Sequence, residues 1–83
     1  MTNLKDIVEN IKKNNLDEAL NLCEVYNEIK NQHIIFNFKG VIFLKKGNLE
    51  LSEENFLKSL KKNPKFEDAI KNLYLLYLKK ELF

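Results

Sequence analysis

Apolar residues recur along most of the chain at spacings of three and four, which is the period of an amphipathic helix. The pattern is broken at Asn14–Asn15, Gly47–Asn48 and Asn63–Pro64. Asparagine and glycine accept the left-handed conformation that ends helices, and proline disfavours helical geometry in the residue before it. The pattern therefore predicts five helices, spanning about 3–13, 17–30, 33–46, 49–63 and 66–82.

The third predicted helix is apolar on more than one side, which indicates burial between neighbours. Phe36, Gly40 and Phe43 share one face of it at spacings of four and three. A glycine inside a helix costs about 1 kcal/mol relative to alanine. We expect that cost to be offset by close approach of another helix to Gly40. The turn that follows is so short that the third and fourth helices must be antiparallel neighbours.

The fourth predicted helix carries a core stripe of Leu51, Phe56, Leu57 and Leu60. Small residues, Ser52 and Ser59, lie on the same side. Rings on one helix and small residues on the other are typical of knobs that enter matching hollows.

The stretch from Phe36 to Pro64 resembles a tetratricopeptide repeat, whose pattern is W-x2-L-G-x2-Y, then A-x3-F, then P, over about 34 residues. Lysine in the leucine position is its main departure from that pattern. The matching positions here are Phe36, Lys39, Gly40, Phe43, Ser52, Phe56 and Pro64.

Weaker copies of this unit flank it. Asn15–Ala19 parallels Asn48–Ser52, and the last helix resembles the first helix of a third repeat, with Tyr74 in the glycine position. The resemblance implies an all-α fold, in which antiparallel helical hairpins stack as a short right-handed solenoid of five helices. It divides a single domain, 1–83, into repeat one (1–32), repeat two (33–66) and a half repeat (67–83).

Composition excludes several classes of function. All 14 basic residues are lysine and the net charge is only +2, which argues against nucleic acid as a partner. The single cysteine, Cys23, allows no internal disulfide and no cysteine-rich zinc site, and we expect it to be buried. The start of the chain is not a secretory signal and no apolar run is as long as a membrane span. The sequence thus predicts a cytoplasmic protein without membrane contact.

No arrangement of residues indicates catalysis, a cofactor or a metal, so we expect a non-enzyme. His33 is the only histidine, and we interpret it as a solvated connector residue. Glu53–Glu54 is interpreted as favouring the positive end of a helix dipole. A stripe of lysines is either a solvated face, the preferred interpretation, or an anion site; its members are Lys58, Lys61, Lys62 and Lys65.

In the tetratricopeptide family, the first helices of successive repeats line a concave groove that takes a peptide. The resemblance implies an apolar groove with a few polar contacts, and these residues could instead be ordinary exposed side chains of a divergent scaffold. The groove would be lined by Ile34, Asn37, Val41, Leu44, Asp68, Lys71, Leu75 and Leu78.

The final helix is apolar around most of its circumference, which is typical of a helix that is covered on all sides. Repeat arrays normally end in a polar surface instead. We therefore expect a homodimer in which this helix is covered by a second copy. The residues assigned to self-association are Tyr74, Leu76, Tyr77, Leu82 and Phe83.

The sequence thus predicts a protein–protein interaction module that binds a peptide or helix and self-associates. The alternative from another class is the N-terminal targeting or scaffold segment of a larger enzyme, such as a transferase. A helical nucleic-acid-binding protein is a third hypothesis, which would require binding that weakens steeply with salt.

Overall fold

The computed structural model describes residues 3–26 and 28–82, with the backbone alone at Leu82. This part of the chain is all-helical and contains no strand. A single 3₁₀ turn, Ile29–Asn31, lies between the second and third helices. The α-helices are α1 (Leu4–Lys12), α2 (Leu16–Val25), α3 (Gln32–Lys46), α4 (Leu49–Lys62) and α5 (Glu67–Leu82).

Helix ends follow the local signals. The Asn3 side chain accepts a hydrogen bond from the Asp6 backbone N–H at 2.9 Å and so caps α1. Asn14 has a φ of 63° and Gly47 a φ of 85°, so both adopt the left-handed conformation at the turns where it was predicted. Asn63 is extended before the proline and ends α4.

Helix α2 is shorter than predicted. It ends at Val25 rather than near residue 30, and Tyr26 is extended. The side chain of Asn31 donates a hydrogen bond to the Tyr26 hydroxyl at 2.8 Å, which links the two ends of the connector between α2 and α3. The predicted end near residue 30 is wrong, and the apolar residues at this end are not buried: Val25 is exposed and Ile29 is 88% exposed. Continuing the helix would therefore gain no apolar burial at these two positions.

Each helix packs against the next one along the chain, and α3 also contacts α1 and α5. Within the described ranges, the other helix pairs do not touch. The closest packing joins α3 to α4, the two helices linked by the short turn at Gly47. The chain is accordingly elongated, with extents of 39 × 27 × 16 Å.

Two different kinds of packing meet at α3. On the side of α1 and α2, aliphatic residues and the Cys23 thiol form a dry core. The buried side chains of that core are Ile7, Ile11, Ala19, Cys23, Ile35 and Ile42.

On the side of α4, the backbone of α3 is approached directly. A Cβ atom placed on Gly40 would lie 2.4 Å from the ring of Phe56, which is fully buried. The Ser52 hydroxyl donates to the Gly40 carbonyl at 2.7 Å, and the Ser59 hydroxyl donates to the His33 carbonyl at 2.6 Å. The predicted close approach at Gly40 is therefore confirmed, and two serine hydroxyls hold it in place.

The predicted core stripe of α4 is only partly correct. Phe56 is buried, but Leu51 and Leu57 are exposed. The buried face follows the two serines at helical spacing and adds Asn55. The leucines lie to the side of this face, because Ser52 and Ser59 already occupy the positions that meet α3.

Candidate functional site

Helix α5 is held against the rest of the chain by one face. Ala69 and Leu76 on that face are fully buried. The Asn72 side-chain amide donates to the Asn37 side-chain oxygen at 3.0 Å, which joins α5 to α3. Asn37 is itself buried, so this amide pair satisfies a polar group that would otherwise be costly to bury. The pair fixes the distance between the two helices that line the predicted groove.

Along the predicted groove, polarity and exposure differ between the two helices. On α3, Val41 and Leu44 are half-buried, whereas on α5, Leu75 and Leu78 are exposed. Of the other residues assigned to the groove, Ile34 is half-buried, Asn37 is buried at the α3–α5 contact, and Asp68 and Lys71 are exposed.

Next to these exposed leucines, α5 carries a second apolar stripe, formed by Ile70, Tyr74 and Tyr77, which we call the outer stripe. All three side chains are exposed, Tyr74 most of all at 64%. The Tyr77 hydroxyl donates to Glu53 at 2.7 Å, and the Lys80 ammonium contacts the other oxygen of that carboxylate at 2.5 Å. One edge of the outer stripe is thereby fixed to α4.

These contacts change the protonation behaviour of both acidic groups. Hydrogen bonds from Lys80 and then Tyr77 hold the pKa of the Glu53 carboxyl below its ordinary value. The hydrogen bond to the Glu53 carboxylate raises the pKa of the Tyr77 hydroxyl above its ordinary value. The cluster is consistent with a structural contact between α4 and α5, which the sequence did not indicate.

The structure corrects one residue of the predicted self-association surface. Leu76 is fully buried, because it lies on the inner face of α5 with Ala69. Tyr74 and Tyr77 are exposed as predicted. The Leu82 side chain and Phe83 lie outside the described residues. Ile70, which the prediction omitted, extends the exposed surface in the N-terminal direction.

At the 34-residue spacing of the predicted repeat, the outer stripe corresponds to the face of α3 that α4 approaches. Ile70, Tyr74 and Tyr77 lie 34 residues after Phe36, Gly40 and Phe43, respectively. On α3, the central position is a glycine that receives the Phe56 ring. On α5, the central position is a tyrosine that projects into solvent. The hollow of α3 is thus replaced by a projection on α5.

A separate cleft of about 370 Å³ lies between α3 and α4, lined by Phe36, Lys58, Lys61 and Lys62. The ammonium groups of Lys39 and Lys58 are 5.7 and 5.8 Å from the centre of the Phe36 ring, within cation–π range. Three of the four lysines of the predicted basic stripe therefore surround an aromatic ring. The sequence analysis did not predict this cleft, because Phe36 was assigned only to helix packing.

His33 and Cys23 both have structural surroundings. His33 is half-buried, not a solvated connector as expected, and the centres of the His33 and Phe66 rings lie 4.8 Å apart with the rings nearly perpendicular. Cys23 is buried as predicted, and this burial raises the pKa of its thiol to about 11. Such a thiol is a poor nucleophile at neutral pH. In residues 3–26 and 28–82, no three histidine, cysteine or acidic side chains are grouped to hold a metal ion.

The described chain belongs to the all-α class. None of its described helices combines the length and the apolar character needed to cross a membrane. A scan against protein-family models, a search of curated proteins and a search of solved structures each find no match to this chain.

Proposed function

We propose that this chain is a non-catalytic protein–protein interaction module with a tetratricopeptide-like arrangement of helices. The observation that carries the proposal is the surface of α5. Five of the nine large hydrophobic side chains that are exposed in the described residues lie on this one helix, so the apolar surface is concentrated there. Concentrated apolar surface marks interaction sites, whereas scattered exposed residues do not.

The packing supports the tetratricopeptide-like part of the proposal. Helix α3 contacts the first helix of the preceding hairpin and the helix that follows its own hairpin. The contact between Gly40 and Phe56 joins the two most characteristic positions of the repeat. Both features are what stacked helical hairpins require.

The groove side of α5 is the primary binding surface in this proposal. Leu75 and Leu78 form an exposed apolar edge beside the half-buried Val41 and Leu44 of α3. Full burial of a leucine side chain is worth about 1.5–3 kcal/mol, so a partner that covers both exposed leucines gains a useful part of its affinity there. The hydrogen bond between Asn37 and Asn72 holds the two helices in place before the partner arrives, which lowers the ordering cost of binding.

Charge substitutions on the exposed leucines test the groove. Peptides selected by display on the wild-type chain should lose at least tenfold in affinity for the Leu75→Glu, Leu78→Glu double variant, as measured by fluorescence anisotropy. Leu57→Glu is the matched control, because Leu57 is also exposed but lies on α4. Equal losses in both variants, or no loss in the double variant, would place the binding surface elsewhere.

The outer stripe favours a second role, self-association. The outer stripe of one chain can pack against the outer stripe of a second copy related by a two-fold axis, without the close approach that Gly40 allows on α3. Burying about 300 Å² of apolar surface on each chain is worth about 7 kcal/mol per chain before association costs. An interface this small is at the weak end of the range for specific complexes, so we expect a reversible dimer.

Sedimentation equilibrium tests self-association. The wild-type chain should show a mass approaching twice 9.9 kDa as its concentration rises through the micromolar range. Ile70→Glu with Tyr74→Glu should restore the monomer, because both side chains lie on the outer stripe and neither is buried. Leu57→Glu should leave the dimer intact. A wild-type chain that stays monomeric at every concentration would exclude this role while leaving the groove hypothesis unaffected.

A further inference from the structure

The cleft around Phe36 has an aromatic floor and a basic rim. Phe36 comes from the first half of α3, while Lys58, Lys61 and Lys62 come from the second half of α4. The two helices are antiparallel neighbours, which brings these parts together. The cleft lies away from the groove, because Phe36 and Val41 are about 140° apart around α3.

The rim of this cleft carries uncompensated positive charge. The Lys39 ammonium is paired with Glu24 at 2.9 Å, and the Lys58 ammonium is paired with Glu54 at 3.3 Å. In the part of the chain that the structure describes, neither Lys61 nor Lys62 forms an ion pair. Both side chains of the Lys58–Glu54 ion pair are exposed, so the pair is weak. Lys58 can therefore exchange Glu54 for a carboxylate of a ligand.

The dipole of α4 explains in part why lysines occupy these positions. Lys61 and Lys62 stand in the last turn, where cations stabilise a helix. Lys12 and Lys13 stand at the end of α1 in the same relation to its dipole, and both are exposed. Only the α4 lysines also border a cleft with an aromatic ring, and a dipole effect does not require one.

We propose that this cleft binds an acidic segment of a partner protein, in which one apolar side chain is flanked by carboxylates. The apolar side chain packs on the Phe36 ring, and the carboxylates bind the Lys61 and Lys62 ammonium groups. This ligand complements both features of the cleft, whereas a simple anion would leave the ring unused. The site is independent of the groove, so one chain can hold two segments.

The chemistry of the rim favours carboxylates over phosphates. Phosphate sites commonly use backbone N–H groups at helix N-termini, whereas Lys61 and Lys62 stand in the last turn of α4. Near Lys61 and Lys62 the end of α4 presents carbonyl groups, which repel a phosphate of charge about −2 more strongly than a singly charged carboxylate. The net charge of +2 also provides little of the long-range attraction on which nucleic-acid binding depends.

The test uses a fluorescein-labelled decapeptide with a central phenylalanine between two pairs of glutamates, titrated with the full chain at low salt. Saturable binding is expected, with amide shifts on ¹⁵N-labelled protein grouped around Phe36 and Lys58–Lys62. Lys61→Glu with Lys62→Glu should weaken binding at least tenfold. Lys12→Glu with Lys13→Glu makes the same charge change at another helix end and should alter the affinity less than twofold.

Three results would overturn the proposal. The first is no binding at millimolar peptide, and the second is an equal loss in the two charge-reversal variants, which would show only long-range attraction. The third is equal affinity for a peptide in which serine replaces the phenylalanine, since the ring would then contribute nothing. An oligonucleotide of single-stranded RNA is titrated in parallel. Tighter binding of that oligonucleotide through Lys61 and Lys62 would assign the cleft to nucleic acid instead.

Discussion

Helices α3 and α5 carry residues at matching positions of the predicted repeat, but the central position is buried on α3 and exposed on α5. Gly40 lets the Phe56 ring reach the backbone of α3, and two serine hydroxyls bind carbonyl groups there. Tyr74 occupies the equivalent position of α5 and is exposed. At this position, Gly40 lets α3 receive the Phe56 ring, whereas Tyr74 makes α5 present a ring of its own to solvent.

The comparison separates residues that stabilise the fold, at the α3–α4 contact, from exposed residues that are available for recognition, on the outer stripe. The α3–α4 contact is built from atoms that cannot move apart without leaving a cavity or an unpaired serine hydroxyl. On the outer stripe, Ile70 and Tyr74 are exposed in the free chain, so changing them should cost little folding energy. Substitutions at matched positions of the two helices should consequently differ in the size of their effect on stability, and the following experiments measure that difference.

The largest effect is expected for Phe56→Ala. Removing a fully buried ring costs about 3–5 kcal/mol, a large part of the roughly 4–12 kcal/mol that a chain of this length can have. Urea denaturation followed by circular dichroism measures the loss. Leu57→Ala, at the neighbouring and exposed position, should change stability by no more than about 0.5 kcal/mol. Similar losses at both positions would mean that the Phe56 ring is not the centre of this contact.

Gly40→Ala and Tyr74→Ala make the comparison at equivalent positions. Alanine at Gly40 gains about 1 kcal/mol of helix propensity but forces its Cβ into the Phe56 ring, at a cost of about 1–3 kcal/mol. We expect a net loss of about 1 kcal/mol, or a fall of about 4–8 °C in Tm. Tyr74→Ala should leave Tm nearly unchanged. A stabilised Gly40→Ala variant would show that α4 can move away from α3 without cost.

Ser59→Ala should have a smaller effect. It removes the hydrogen bond that the hydroxyl donates to the His33 carbonyl, at a cost of about 0.5–1.5 kcal/mol. Thermal denaturation provides the measurement, and Ser59→Cys is a control that keeps a side chain of similar shape with a weak donor. If Ser59→Ala were as stable as the wild type, the hydroxyl would contribute only volume to this contact.

The smallest effect is a pH dependence at Glu53. Because folding lowers the pKa of the Glu53 carboxyl below its ordinary value of 4.5, the ionised carboxylate stabilises the fold above that pH, and this stabilisation is lost as pH falls through the lowered pKa. The Tm difference between wild type and Glu53→Gln should thus be present at pH 6–7, about two units above 4.5. It should shrink toward zero as the solution is acidified. Glu54→Gln is the neighbouring control. A difference that stays constant with pH would exclude an ionic contribution from Glu53.

Local signals made much of the fold predictable. Helix ends at Asn3, Gly47 and Asn63 depend on residues within one turn of the end, so the sequence contains what is needed to place them. The close approach at Gly40 was also predictable, because a glycine in an apolar helix requires an explanation. The end of α2 was not, since Ile29 continues the apolar spacing but has no neighbour to pack against.

The candidate sites were less predictable, because they depend on contacts between distant residues. Periodicity alone could not show that Leu76 faces inward, nor that Asn37 meets Asn72 across 35 residues. The cleft at Phe36 needed the α3–α4 register to bring a ring of one helix beside lysines of the other. The groove residues remain a prediction, supported by exposed leucines on α5.

Because Cys23 is buried, the rate at which its thiol is alkylated reports how often the surrounding part of the chain opens. With a thiol pKa of about 11, roughly one native molecule in a thousand carries the thiolate at pH 8, and the buried sulfur is inaccessible to reagents as well. Alkylation therefore proceeds through molecules in which the α1–α2 side has opened, and its rate measures how often that happens. Because Phe56 lies on the other side of α3, alkylation of Cys23 in the Phe56→Ala variant would report whether the two sides open together or one at a time.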